Sequence, residues 1–419
     1  MIKVGIIGVG TVGTSVAQIL KDNTDIISAR AGKVIVVKSG VVKNLSKDRG
    51  LDIIITDNVD DVLDDPEIDI VVELMGGIDE PFKVVKHALK NGKAVVTANK
   101  ALLAYHRYEL SDLAKNIAFE YEASVAGGIP IITALRDGLS ANHIESIIGI
   151  MNGTCNYMMT KMTNEGVAYD DILKEAQELG YAEADPTFDV GGYDSAHKLL
   201  ILASIAYGID AKPEDILIEG IESVSQDDIT FAKEFGYAIK LLGIAKKDGS
   251  EVELRVHACL ISQDEMIAKI DGVMNGISVI GDKVGETLYY GPGAGGDATA
   301  SAVVANIIDI ARSGKSAPML GFDRPMEGRL TLKATEDISS KYYLRINVSD
   351  RAGVLARITK IFEDNNISVE TMLQRPALAS SANLLISTHI ALEKDIQSMI
   401  KEIEALKEVN FTPVMIRIV

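Results

Sequence analysis

Tryptophan is absent from this 419-residue chain, cysteine occurs only twice and proline ten times. Positive charge is also short, since 42 lysines and arginines face 60 acidic residues for a formal net charge of −18. Each shortage excludes something. Cys155 and Cys259 stand far apart without metal-type spacing, which argues against a disulfide scaffold or a zinc site and leaves both reduced. The negative surplus repels phosphate backbones and anionic lipid, and no basic cluster offsets it, so neither nucleic acid nor a membrane surface is an expected partner. Long apolar runs are missing too: "LLILASIAYGI" falls well below the ~18 residues of a membrane span. The opening "MIKVGIIGVG" lacks the basic region, long apolar core and cleavage site of a signal peptide, so a cytoplasmic protein is expected. With 47% apolar and 24% charged residues, the chain is an ordinary globular one, long enough for two or three domains. The partner to look for is a small molecule.

The rhythm of the chain divides it. Over residues 1–130, short β-branched runs ("IKVGIIG", "DIIIT", "IDIVVEL", "KAVVTAN", "IAFEYEA") alternate with amphipathic helical patterns, which predicts an α/β, doubly wound parallel sheet of Rossmann type. Over 131–312 helical stretches dominate. Two long strands there, "YAIKLLGIAKK" and "EVELRVHACLI", read as a hairpin turned at Asp248-Gly249, and "TASAVVANIIDIARSG" is the closing helix. That composition predicts an α+β domain for substrate binding and dimerisation. Residues 313–339 carry Pro, Gly and charge without periodicity and read as a linker. Residues 340–419 follow the order βαββαβ, the ferredoxin-like pattern.

Gly8, Gly10 and Gly13 have G-x-G-x-x-G spacing directly after the first strand, with Thr11 and Val12 at the mouth of the following helix. Glycines there make a tight turn and let backbone N–H groups approach a pyrophosphate. The acid that usually binds the ribose 2′-hydroxyl about 20 residues further on is missing. Lys33, Lys38 and Lys43 occupy that region instead, either as solvated lysines or, at Lys43, as a partner for a 2′-phosphate. NADP is therefore expected, with NAD still open.

Thr97, Asn99 and Lys100 follow a predicted strand at its carboxyl end, the edge where open α/β sheets bind ligands. Further on, "DVGGYDSAHKLLILASIAYG" seats Asp189, Asp194 and Lys198 at the mouth of an otherwise apolar helix. If Asp194 opens that helix, Lys198 lies one turn on and faces inward with Ile201, Leu202 and Ile205. Burial lowers a lysine's pKa and a nearby acid raises it, so the pair can poise an amine for proton transfer. A helix cap with an i,i+4 ion pair explains Asp194 and Lys198 but leaves Asp189 and the upstream Glu183 and Asp185 without a role. Several carboxylates before one inward lysine suit a substrate bearing an ammonium group.

Together these residues resemble homoserine dehydrogenase. "AQELGYAEADPTFDVGGYDSAHK" is similar to that family's signature, met here by Asp189, Val190, Gly192, Asp194 and Lys198, and the resemblance extends to "VVTANKALLA", "YEASVAGGIPII", "MNGTCNYM" and "GPGAGGDATASAVVA". It implies NAD(P)-dependent interconversion of L-homoserine and L-aspartate 4-semialdehyde in threonine, methionine and isoleucine biosynthesis. By the same resemblance Lys198 is the proton donor or acceptor, Lys100 bridges cofactor and substrate, and Asp194 positions the lysine. Glu183 and Asp189 hold the substrate, Gly153 and Thr154 touch it, and Gly295 closes on the nicotinamide side. A sodium ion at Glu122 and the carbonyls of Val125, Gly127 and Ile129 is also implied, and oxygen-only ligation suits such a hard cation.

The chain departs from the family at Cys155, where many relatives have Thr, and at Gly191, where many have Glu. Cys155 beside the substrate is expected to confer sensitivity to thiol reagents. The C-terminal stretch resembles an ACT domain, with Ala352 in "SDRAGVLARI" replacing the usual Pro, which implies an amino-acid effector, L-threonine in this family, and a homodimer or homotetramer. Two other readings stay open at this point: a catalytically silent sensor of nucleotide and amino acid, and an aspartate semialdehyde dehydrogenase using Cys155 as nucleophile.

Overall fold

Six parallel strands open the chain. In the computed structural model, which describes residues 1–326, 328–377 and 380–419, they are β1 (Ile2–Ile7), β2 (Ile35–Val41), β3 (Ile54–Thr56), β4 (Ile70–Glu73), β5 (Ala94–Thr97) and β6 (Phe119–Glu120). Their order is β3-β2-β1-β4-β5-β6, so the winding reverses between β1 and β4 and opens a crevice at their carboxyl ends. Helices α1 (Thr11–Asp22), α2 (Thr24–Ala31), α3 (Asp60–Leu63), α4 (Asp79–Lys90) and α5 (Lys100–Leu113) make the crossovers. The pattern follows from the sequence: every residue of β4 is buried, whereas α4 buries Val84, Val85, Ala88 and Leu89 on one face only.

A second sheet begins with β7 (Ile144–Ile150). The short helix α6 (Ile131–Thr133) precedes it; α7 (Gly153–Glu165), α8 (Tyr169–Glu178), α9 (Thr187–Val190) and α10 (Tyr193–Tyr207) follow. Then come β8 (Leu217–Ile218), α11 (Gln226–Glu234), β9 (Tyr237–Asp248), β10 (Glu251–Ser262), β11 (Met274–Gly281), β12 (Gly285–Pro292) and α12 (Gly296–Ser313). The hairpin expected at Asp248-Gly249 joins β9 to β10, with Gly249 at φ +59°. Helix α10 is buried on nearly every side, which its all-round apolar sequence demands. Helix α12 turns back onto the first sheet: Ala300, Val303, Val304 and Ile307 share a core with Val4 and Val16.

The C-terminal stretch supplies β14 (Ser339–Ser349), α13 (Val354–Asp364), β15 (Val369–Pro376), β16 (Ser381–Thr388), the short β17 (Ala391–Leu392), α14 (Glu393–Glu404) and β18 (Val414–Ile418). The order β18-β14-β16-β15 is ferredoxin-like. This unit is joined to the rest through the sheet itself, because β18 pairs in parallel with β10, Cys259 opposite Arg417. Arg417 is fully buried at the seam and gives two bonds to Glu219 (2.7 and 2.9 Å) and two to Glu393 (2.9 and 2.6 Å). Within the linker stretch, β13 (Thr331–Leu332) also pairs with β10, so that segment is partly strand; Glu327 lies outside the described residues.

Candidate active site at the carboxyl edge of the first sheet

The glycine turn is shaped by what it must avoid. Gly8 has φ +106°, and a Cβ there would lie 2.5 Å from the Leu74 carbonyl oxygen; one on Gly13 would lie 2.4 Å from that of Gly8. Gly10 faces open space, and α1 begins behind it with no side-chain cap, so the N–H groups of its first turn at Thr11, Val12 and Gly13 point into a cradle that a dinucleotide phosphate fits. Gly295, at φ +123°, caps α12 on the far side of the same cavity.

The lysines expected near a 2′-phosphate part company. Lys33 precedes β2, at the wrong edge of the sheet, and Lys38 is held by Asp65 and Glu67. Lys43 is exposed just beyond the carboxyl end of β2. Arg49, which the sequence does not single out, reaches the same edge: its Nε donates to the Val9 carbonyl at 2.8 Å, inside the glycine turn, and its Nη1 to the Asn44 and Lys47 carbonyls. The recurring cations at 43, 47 and 49 were the available signal.

One cavity of about 650 Å³ joins the cofactor edge to the carboxylate–lysine cluster; Val12, Lys100, Gly153, Thr154, Asp189, Asp194, Lys198 and Gly295 all line it. Asp194 sits in the first turn of α10, whose N-cap is Gly192, and it is 4% exposed. Its Oδ2 accepts from Lys198 Nζ at 2.7 Å and its Oδ1 lies 3.1 Å from Lys100 Nζ. Burial alone would raise its pKa, but the two lysines outweigh burial and hold it well below the usual carboxylate range. Lys198 also donates to the Met151 carbonyl at 2.6 Å. Lys100 opens α5, oriented by Asn99, whose side chain caps that helix at the Leu102 N–H.

Asn152, which the sequence does not single out either, joins the cluster. Its Nδ2 donates to Asp189 at 2.7 Å and to Asp194 at 2.9 Å, while its Oδ1 caps α7 at the Cys155 N–H. An Asn directly before a helix is a readable cap, but its service to two acids depends on residues far along the chain. Burial raises the Asp189 pKa against the pull of Asn152. Thr154 donates to the Tyr181 carbonyl at 2.6 Å, and a Cβ on Gly153 would meet the Val273 carbonyl at 2.7 Å.

Other expected residues lie apart. Glu183 is exposed on the turn between α8 and α9, where Gly180 and Tyr181 form the cavity wall. The Thr97 hydroxyl is used internally, donating to Glu73 at 2.6 Å. Glu122 is buried, its Oε1 accepting from Ile132 N–H (2.7 Å) and its Oε2 from Thr133 N–H (2.9 Å), with Val125, Gly127 and Ile129 on the loop that follows. No group of three or more His, Cys, Asp or Glu side chains suited to a metal occurs among the described residues.

Cys155 corrects an expectation. Its thiol is fully buried against the Asp189 carbonyl, and burial pushes its pKa well above the ordinary value. It is neither an accessible target for thiol reagents nor an activated nucleophile.

A phosphate-binding glycine turn and a lysine–aspartate centre sharing one cavity define a nicotinamide-dependent oxidoreductase. Comparison with known proteins agrees throughout the chain: family models described as homoserine dehydrogenase NAD-binding domain, homoserine dehydrogenase and ACT domain match residues 8–124, 130–308 and 342–408. Homoserine dehydrogenases of Helicobacter pylori (55% identity, 100% of this chain and 99% of that one) and Neisseria gonorrhoeae (43%, 99% and 98%) are similar over their whole length. The crystal structure of a homoserine dehydrogenase from Thiobacillus denitrificans superposes with a TM-score of 0.93 at 46% identity, covering 100% of this chain and 98% of that one. A hyperthermophilic archaeal homoserine dehydrogenase in complex with NADPH is similar at 28% identity and a TM-score of 0.63, over 74% of this chain and 97% of that one. The chain belongs to the homoserine dehydrogenase family and is an oxidoreductase, not a silent sensor. Among the described residues, no helix is long and apolar enough to cross a membrane.

Proposed function

We propose that this chain interconverts L-homoserine and L-aspartate 4-semialdehyde, with Lys198 moving the proton at the reacting oxygen. The observation that carries this is the division of one buried carboxylate, Asp194, between Lys198 and Lys100 at the floor of the cavity that reaches the glycine turn. A bound NADP or NAD supplies or accepts the hydride. The first turn of α1 holds its pyrophosphate, Lys43 and Arg49 favour the 2′-phosphate of NADP, and Gly295 closes the nicotinamide side. Asp194 keeps Lys198 aimed, and Lys100 serves both cofactor and substrate. Asp189, steadied by Asn152, takes the substrate ammonium, with Gly153 and Thr154 beside it; Glu183 joins if the exposed turn that carries it moves inward.

Sodium at Glu122 and the carbonyls of Val125, Gly127 and Ile129 is part of the same reading: Glu122 Oε1 accepts one N–H and keeps a lone pair for a hard cation. We infer the units 1–130, 131–312 and 340–419, a cytoplasmic homodimer or homotetramer, and feedback control by an amino acid, threonine first, at the C-terminal unit. The test is NADPH oxidation with L-aspartate 4-semialdehyde, with and without threonine and with sodium exchanged for potassium. Absence of turnover with this aldehyde would reject the reading.

A further inference from the structure

Glu73 ends β4 at the point where the strand order reverses, and its side chain is fully buried. Its Oε1 accepts from the Met75 N–H at 2.7 Å and its Oε2 from the Thr97 hydroxyl at 2.6 Å. The Thr97 oxygen in turn accepts from the Asn99 N–H at 3.0 Å. Asn99 spans outward from there, donating to the Gly77 carbonyl at 2.9 Å and capping α5, whose first residue is Lys100. One carboxylate thus ties together two pieces of the cavity wall. The first is the segment after β4, where Leu74 and Met75 line the cavity and the Leu74 carbonyl closes under Gly8. The second is the turn that sets Lys100.

We propose that Glu73 is a positioning residue for the cofactor pocket, its ionised carboxylate holding the segment after β4 and the Thr97–Asn99 turn in the arrangement that receives the nicotinamide end of the cofactor and aims Lys100. The inference rests on the nicotinamide-binding reading of the glycine turn.

The chemistry requires the ionised form. A carboxylate accepts on both oxygens, whereas a protonated acid must donate from one of them. Turning that O–H toward Thr97 deprives the Thr97 hydroxyl proton of its acceptor, and both side chains are fully buried, where a lost hydrogen bond is costly. The groups acting on Glu73 are the Thr97 hydroxyl, the Met75 N–H and Asn99; β1 offers it Ile7 and Gly8 follows. None of these is ionisable, and the nearest charged residue along the network is Lys100, beyond Asn99. Burial pushes the Glu73 pKa up to about 7, so the arrangement is sensitive to pH near neutrality.

The test is NADPH and NADH binding, followed by the fluorescence of the reduced nicotinamide at about pH 6 and pH 8.5, with kcat and KM for the cofactor alongside. In the wild type both cofactors bind more weakly at the lower pH, by about tenfold, the worth of one hydrogen bond. Glu73→Gln, which resembles the protonated acid, binds about tenfold more weakly at pH 8.5 and loses this pH dependence. Glu73→Asp, too short to meet both donors, weakens binding yet keeps the pH dependence, and it decides the matter if Glu73→Gln does not fold. Wild-type affinity in either variant, or a wild-type pH profile in Glu73→Gln, would overturn the proposal. A wild type that binds neither cofactor at any pH would instead reject the cofactor reading beneath it.

Discussion

Lys198 lies one helical turn beyond Asp194 on α10 and donates to its Oδ2 at 2.7 Å. A second ammonium proton goes to the Met151 carbonyl at 2.6 Å, so two of three donors are fixed and the third is left for the cavity that Lys198 lines. A surface i,i+4 pair is worth only ~0.3 to 0.5 kcal/mol and leaves its lysine mobile. Here the lysine is 9% exposed and orientationally defined, which is what general acid–base work needs.

Asp194→Asn is expected to lower kcat by about 10²-fold, as removal of a group that aims the proton donor does. Its effect on stability has a sign fixed by the Asp194 pKa, which is lower in the folded chain than in the unfolded one. The folded state therefore binds fewer protons, and the contribution is complete above the ordinary Asp value of about 4 and fades as pH falls below it. Denaturant titrations at pH 7 and near pH 3.5 check this. The wild type should exceed the variant by more at pH 7; an equal gap at both would contradict the ion-pair assignment.

Both thiols are buried, and burial raises the pKa of each, that of Cys259 to about 12. Iodoacetamide at pH 8 is expected to label neither in the native enzyme and both after denaturation. Loss of more than half the activity with Cys155 labelled in the native protein would show that the site opens around it.

Arg49→Gln and Lys43→Ala should each raise KM for NADPH by about tenfold and leave that for NADH within about twofold, since a charged partner of phosphate is worth ~1.5 kcal/mol or more. Equal losses with both cofactors would show that Arg49 only braces the glycine turn through Val9.

Much of this was legible along the chain because the constraints are local. A tight βα turn admits few sequences besides Gly8-x-Gly10-x-x-Gly13, and an all-apolar helix leaves Lys198 nowhere to point but inward. Long-range pairing left less trace. Nothing in Val414–Ile418 marks it as the neighbour of β10, and the strand that welds the C-terminal unit to the rest reads the same as one in a free-standing module. Glu73 was hidden for a similar reason: a carboxylate at the end of "IVVE" is ordinarily solvated, and only the strand order shows that this end is covered. Glu183 and Asp189 look alike in sequence, yet Asp189 enters the cavity on α9 while Glu183 stays on an exposed turn.

The most direct measurement is the rate of NADPH oxidation with L-aspartate 4-semialdehyde by Lys198→Ala, with circular dichroism confirming its fold and fluorescence confirming that it still binds NADPH. A fall in kcat of about 10²-fold or more, with cofactor affinity retained, is the expected result for a residue that carries the proton. A variant that folds, binds NADPH and keeps more than about a tenth of the wild-type rate would contradict it.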